Sequence, residues 1–318
     1  MPTLAVGQPG VNDGAHNIFG RIRKVMSRLA MSRPRIAAIS YLNTAPLMWD
    51  FEHGHAGAGF DISYTIPSAC ARAMGEGAAD IGIIPAAAYT TISDLAIISD
   101  IAIAARRPVR SILLVSKAPI DQARTVALDT SSMTSVALTR IIFSKWLGGE
   151  RVYTPMDPNL DQMLGSCDAA LLIGDRALQV DRTKYQTLDL AEEWIARTGK
   201  SFVFAFWAIR QQALAGHNLQ KIAEVFRSSR DHGIRPENLE TLAQEWSQRL
   251  NLSIEVVRTY LARHIHYYLD PPCLEGLALF YRYGEEVGAL PRAPKLHFLE
   301  KNPDSAEPDP ALNALPKL

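Results

Sequence analysis

The run from Ile36 to Leu47, Ile-Ala-Ala-Ile-Ser-Tyr-Leu-Asn-Thr-Ala-Pro-Leu, constrains this chain more than any other stretch. It begins apolar without alternation, turns abruptly to small polar residues, and is bounded in front by Pro34. A strand with water on one face alternates, whereas a strand without alternation is covered on both faces, as in a parallel sheet flanked by helices. Open α/β sheets of that kind hold ligands in the crevice beyond the carboxyl ends of their strands. Ser40, Tyr41, Asn43 and Thr44 follow the strand directly and are the first candidate ligand contacts. Asn43 also reads as a turn residue, but an amide that donates and accepts at the end of a buried strand is equally suited to orienting a ligand.

The pattern then repeats along the chain. Thr44 to Glu52 reads as a short helix with Pro46 in its first turn, and Asp61 to Ile66 as a second strand. Ser68 reads as the cap of a helix over Ala69 to Gly75, and Asp80 leads a third strand, Ile81 to Pro85. Leu95 to Ala104 continues the same lobe. After the basic segment Arg106 to Arg110, a buried strand, Ser111 to Ser116, starts a second alternation with strands at Thr125 to Leu128, Val152 to Thr154 and Ala169 to Gly174. Ser201 to Ile209 is the next strand-like run, and helical periods fill Gln211 to Arg230, Pro236 to Leu250, Ser253 to Tyr268 and Pro272 to Val287.

Two strands that bracket an inserted α/β unit make a two-lobed protein with a two-strand hinge around a cleft. The expected division puts residues 33–112 and 206–295 in one lobe and 113–205 in the other. Residues 1–32 are expected to be a disordered extension holding at most a short basic helix over Asn17 to Leu29, and residues 296–318 a poorly ordered tail.

A chain of 318 residues suffices for two cores. Its 33 basic residues balance 33 acidic ones, so no net field favours nucleic acid or a membrane surface, and a small molecule is the expected partner. No stretch approaches the roughly 18 apolar residues of a membrane span, and the first thirty-two residues lack the apolar core of a secretory signal. The expected location is the cytoplasm. Cys70, Cys167 and Cys273 lie far apart without metal-ligand spacing and read as small hydrophobes. The chain contains no Gly-rich dinucleotide or phosphate loop, no HExxH and no GxSxG, so neither a metal nor a cofactor is expected.

In the second lobe, Asp129 to Ser135 runs into a helical period from Val136 to Trp146. A helix N-terminus presents unpaired N–H groups and about half a positive charge, which with surrounding hydroxyls suits a carboxylate or phosphate; plain capping is the competing reading. Ser132, Thr134 and Ser135 are the candidates there. Ser111 opens the hinge strand at the mouth of the cleft. Gly174 and Asp175 end a strand of the second lobe, where a glycine allows close approach of a ligand and the acid either faces it or caps the next turn. Arg106, Arg107 and Arg110 are available for a bidentate carboxylate pair, although each alone reads more simply as surface charge. The residues to this point describe a two-lobed binder of a small anion.

Several pieces also resemble a known family. They are Ser40-Tyr41-Leu42-Asn43 with Pro46, Asp80 to Pro85, Thr134 to Leu138, Ala169 to Asp175, Asp189 to Trp194, Thr198-Gly199 with Phe202 to Ala205, and Gly276-Leu277 with Phe280-Tyr281. In order and spacing, from about Arg35 to Val287, they resemble chorismate dehydratase of the futalosine route to menaquinone.

The resemblance implies a type II periplasmic-binding-protein-like fold of mixed, mostly parallel sheets, without export. It implies a hydro-lyase that converts chorismate to 3-[(1-carboxyvinyl)oxy]benzoate and water without metal or organic cofactor. Asn43 would orient the reacting groups as the catalytic residue, Ser111, Thr134 and Ser135 would hold carboxylate, and the substrate's own enolpyruvyl carboxylate would take the proton. Met133 stands where the family often carries a charged residue. Two other functions fit the same fold: a cytoplasmic small-carboxylate binding protein, and the sister enzyme of the pathway acting on cyclic dehypoxanthine futalosine. The sister's Cys- and Pro-rich first-strand motif and histidine base have no counterpart here.

Overall fold

The computed structural model describes residues 33–299; the expectations for residues 1–32 and 300–318 lie outside them. The chain enters a six-stranded sheet through β1 (Arg35–Ile39), β2 (Asp61–Thr65), β3 (Ile81–Pro85) and β4 (Leu95–Ala105). It then builds a five-stranded sheet from β5 (Ile112–Ser116), β6 (Thr125–Asp129), β7 (Val152–Met156), β8 (Ala169–Ile173) and β9 (Gln186–Asp189). It returns to the first sheet as β10 (Phe202–Arg210) and, near its end, β11 (Phe298–Leu299). The strand orders are β11-β4-β10-β3-β1-β2 and β7-β6-β8-β5-β9.

Both sheets are mixed. β1 runs parallel to β2 and β3, while β10 runs antiparallel to β3 and β4. In the second sheet β6 is parallel to β7 and β8, and β5 antiparallel to β8 and β9. The unalternating start of the opening run is explained by its position: Ile36, Ala37 and Ala38 are consecutive and fully buried, so both faces of the strand are covered. The strand stops at Ile39, and the chain winds into the 3₁₀ helix Leu42–Met48, which tolerates Pro46 inside it.

The chain passes between the lobes twice, at residues 106–111 and 199–201. All of β10 belongs to the first sheet, so the return comes a few residues earlier than the sequence suggested. Asp189 ties the two passages together. Its Oδ2 accepts the Arg110 N–H at 2.6 Å, and its Oδ1 accepts the N–H groups of Ala191 and Glu192, capping the helix Leu190–Thr198 that leads to the second passage. Gly199 ends that helix at φ +66°, and Arg110 sits at φ +65°. Each passage is therefore a fixed turn rather than loose chain.

Elsewhere the structure departs from the sequence reading for local reasons. The helix Pro67–Gly75 starts on its proline, and Ser68 does not cap it; the Ser68 N–H instead reaches the Ser131 carbonyl across the cleft at 3.0 Å. After a short 3₁₀ turn at Gln211–Leu214, the helix Leu219–Gly233 begins only beyond Gly216, with the Asn218 side chain accepting from the Lys221 N–H. The period over Ser253 to Tyr268 breaks into a helix Ile254–Thr259, a π turn Tyr260–His264 and extended chain in which His266 pairs with Ala104. The tail was expected to lose order after Lys295, yet Phe298–Leu299 pair with Ile97 and Ile98, and Leu299 is buried. His266 and Leu299 thus cover the free edge of β4, which would otherwise present unpaired N–H and C=O groups to solvent.

Candidate active site

The carboxyl end of β1 opens into a cleft between the sheets. Its first-lobe wall is Ile39, Tyr41, Asn43, Pro67, Pro85, Ile103, Phe204 and Ala205; its second-lobe wall is Ile112, Ser132 to Ser135, Ile173 and Gly174. The space between them is continuous with solvent at its mouth. The larger part of the lining is apolar and suits the faces of a flat ring; the polar groups gather around Asn43 and the start of the helix Thr134–Ile142.

Pleat geometry sorts the residues that end β1. Ile39 and Tyr41 face the cleft, whereas Ser40 between them is exposed and turns its hydroxyl to the Thr65 carbonyl of the neighbouring strand at 3.3 Å. Ser40 is therefore outside the cleft. Thr44 is also absent from the lining; it is buried and donates to Asn43 Oδ1 at 3.3 Å. With Oδ1 engaged in that way, the Asn43 amide presents its N–H₂ as donor.

The second-lobe hydroxyls divide in a similar manner. Thr134 Oγ1 accepts the Ala87 N–H at 3.1 Å and donates to the Phe204 carbonyl at 3.0 Å, so its single proton is used in fastening the helix to the other lobe. What Thr134 offers the cleft is its backbone N–H, which like that of Met133 has no partner among the described residues. Ser132 Oγ accepts the Ser135 N–H at 3.2 Å and keeps its own proton free, and the Ser135 hydroxyl makes no hydrogen bond among the described residues. Ser111 lies one layer behind the lining, fully buried, accepting from the Tyr260 hydroxyl at 2.8 Å. None of Arg106, Arg107 and Arg110 lines the cleft; Arg106 is paired with Asp270 instead.

Gly174 is required where it stands. Its φ is +60°, its N–H meets the Ser111 carbonyl at 2.8 Å, and a Cβ there would lie 2.6 Å from the Tyr41 ring. The next residue, Asp175, does not line the cleft but bridges it, with Oδ1 accepting the Leu42 N–H at 3.0 Å just ahead of Asn43. Burial pushes the Asp175 carboxyl up to about 6, with the Leu42 N–H pulling the other way. Asp129 is likewise raised by burial, although it accepts from Ser131 and the Ile173 N–H. Tyr41 closes this side of the cleft, its hydroxyl donating to Ser131 Oγ at 3.2 Å.

A carboxyl raised in the folded state binds its proton more tightly there than in the unfolded chain. Asp175 therefore costs nothing below about pH 4 and increasingly destabilises the protein as pH rises toward 6. Asp175→Asn keeps an acceptor for the Leu42 N–H and removes that cost. Thermal unfolding should show the variant more stable than the parent by about 1–2 kcal/mol at pH 7 to 8, with the gap closing toward pH 4. A pH-independent gap would contradict the assignment.

The three thiols are free; Cys70 and Cys273 are fully buried and Cys167 half-buried. Among the described residues, His266, Asp270 and Cys273 bring potential ligand atoms within 4.8 Å of one another, but Arg106 already neutralises Asp270, and none of the three lines the cleft. Sequence reading missed Ile103, Phe204 and Tyr260, which come from strands and a turn remote in the chain. Among the described residues no helix is long and apolar enough to cross a membrane.

This architecture defines a class first. Protein AF1704 from Archaeoglobus fulgidus aligns with a TM-score of 0.62 at 15% identity, covering 81% of this chain and 98% of its own. The periplasmic aliphatic sulphonate binding protein SsuA from Escherichia coli aligns at 0.57 and 16%, covering 87% and 96%. The Candida albicans CA3427 product, described as having the generic periplasmic binding protein fold, aligns at 0.62 and 11%, covering 86% and 99%. The fold is thus the two-lobed one of periplasmic binding proteins. Within it, the chain belongs to the menaquinone biosynthesis family, whose family model matches residues 34–286. A chorismate dehydratase from Thermus thermophilus is 28% identical over 284 residues, 83% of this chain and 99% of that protein.

Proposed function

We propose that this protein is a chorismate dehydratase, a hydro-lyase that forms 3-[(1-carboxyvinyl)oxy]benzoate and water for menaquinone by the futalosine route. The observation that carries the reading is the polar character of the cleft. Among the described residues its lining offers donors, the Asn43 amide, the Ser132 and Ser135 hydroxyls and the N–H groups of Met133 and Thr134, and includes no histidine, lysine, arginine or carboxylate. Such a lining suits a substrate that brings two carboxylates and its own base.

In the proposed reaction the enolpyruvyl carboxylate takes the proton from the ring carbon that bears the ether. The electron pair of that C–H bond becomes a ring double bond, and the bond from the neighbouring carbon to its hydroxyl breaks, its electron pair leaving with the oxygen. The departing hydroxide recovers the proton as water, and the ring becomes aromatic. Much of the driving force therefore belongs to the substrate. The protein holds the ring between apolar walls, binds the carboxylates through hydroxyl and N–H donors, and keeps the ether side chain over the hydrogen it removes.

Incubating the purified protein with chorismate, and following products by chromatography with mass detection, tests this directly. The expected product is lighter by one water and has a benzoate spectrum. Chorismate bound but unchanged would make the protein a binder of the same fold, and neither binding nor turnover would point to the sister enzyme's nucleoside-derived substrate.

A further inference from the structure

Ser131 lies in the polar segment ahead of the helix Thr134–Ile142, yet it is absent from the cleft lining and caps nothing. It is buried, and each of its polar groups is engaged. Within the second lobe its N–H and O–H both go to Asp129 Oδ1, at 2.8 and 2.5 Å. From the first lobe its carbonyl accepts the Ser68 N–H at 3.0 Å and its Oγ accepts the Tyr41 hydroxyl at 3.2 Å. An ionised carboxylate has no proton to return, so the Ser131 hydrogen is committed to Asp129 and a lone pair is what Tyr41 meets. The hydroxyls therefore run in one direction, from Tyr41 to Ser131 to Asp129, and Asp129 Oδ2 is held in turn by the Ile173 N–H at 3.3 Å.

Tyr41 leads directly into the segment that carries Asn43. Its carbonyl accepts the Thr44 N–H at 2.9 Å, the bond that opens the 3₁₀ helix Leu42–Met48. Next to it, the Leu42 N–H is taken by Asp175 Oδ1 at 3.0 Å. The two residues just before Asn43 are thus fastened to the opposite lobe, one by its side chain and one by its backbone.

We infer that Ser131 is a positioning residue: by receiving the Tyr41 hydroxyl it seats the start of the 3₁₀ helix against the second lobe and so sets the place of Asn43. The step from that seating to catalysis rests on the reading of Asn43 as the group that orients the substrate; the seating itself does not. Of the two fastenings, the one at Ser131 is removed by deleting a single oxygen from either end.

Tyr41→Phe, Ser131→Ala and the double variant form a cycle on the full chain. With chorismate, each single variant should lower kcat about tenfold with KM changed less than about threefold, and the double variant should lose no more than about twofold beyond the larger single loss. Losses that multiply, or that appear only as a lower melting temperature, overturn the proposal. Tyrosine labelled at ¹³Cζ supplies a readout independent of turnover, with the Tyr41 signal assigned by its loss in Tyr41→Phe. A hydroxyl held by Ser131 exchanges slowly, so in half-deuterated water the Tyr41 signal should be doubled in the unmodified protein and single in Ser131→Ala. A single signal in the unmodified protein, or a doubled one that survives Ser131→Ala, sinks the proposal, and the first of these does so even if Ser131→Ala does not fold. A doubled signal that collapses in Ser131→Ala, without any chorismate turnover, would uphold the seating and fault the functional reading alone.

Discussion

Asn43→Ala is expected to lower chorismate turnover by about 10²–10³-fold, the effect of removing one oriented donor from a preorganised site. The alanine is expected to keep the fold, because Asn43 is half-buried at the cleft and the side-chain hydrogen bond lost with it among the described residues is the 3.3 Å one from Thr44. Binding should weaken far less than turnover, since the serine hydroxyls and the N–H groups of Met133 and Thr134 stay in place. Paired measurements of kcat and KM separate the two: an interaction made mainly in the transition state lowers kcat and kcat/KM together. Unchanged kcat would remove Asn43 from the chemistry, and a rise confined to KM would make it a ground-state contact.

Asn43 was accessible to sequence reading because its environment is local. An unalternating run closed by small polar residues suits a doubly covered strand with its carboxyl end at a crevice, and the structure places Ile36 to Ile39 in a buried strand. The family pattern from Arg35 to Val287 agrees with the matched range, residues 34–286. The same local view misplaced Ser40, since a strand reverses its side chains at every residue and one step decides between cleft and solvent. It likewise gave Thr134 a free hydroxyl, although Ala87 and Phe204, which use that hydroxyl, lie 47 and 70 residues away. Tyr260 was hidden for a related reason. A π turn inserts a residue into a helical period without any breaker to announce it, so Ser253 to Tyr268 read as one helix and its hydroxyl had no address. Periodicity reveals which face of an element is covered; which distant backbone group meets a given side chain depends on how the elements pack.

Gly233→Ala is expected to be the most damaging single methyl near the site. Gly233 ends the helix Leu219–Gly233, and a Cβ there would lie 1.9 Å from the Pro46 carbonyl oxygen and 2.6 Å from its carbon. Both are backbone atoms of the 3₁₀ helix that carries Asn43, so no side chain can rotate away and the helix itself must move. One turn earlier on the same face, Ser229 donates to the Leu47 carbonyl and accepts the Asp50 N–H, each at 2.9 Å, so the helix also holds the segment from beyond Pro46. Pushed at Pro46 and held at Leu47 and Asp50, the segment relieves the overlap by tilting its near end, where Asn43 lies. Overpacking of this kind costs about 1–3 kcal/mol or more, because the contact is with rigid chain. A displacement of about 1 Å at a group that orients a substrate lowers turnover on the order of 10²-fold. Ser229→Ala serves as the comparison, since it removes two hydrogen bonds without adding volume; its expected cost is about 1–3 kcal/mol with Asn43 left in place. Thermal unfolding should therefore lower both variants to a similar degree, while kcat falls steeply only for Gly233→Ala. Equal losses of activity in the two would mean that loosening this support, rather than displacing it, is what the site cannot tolerate.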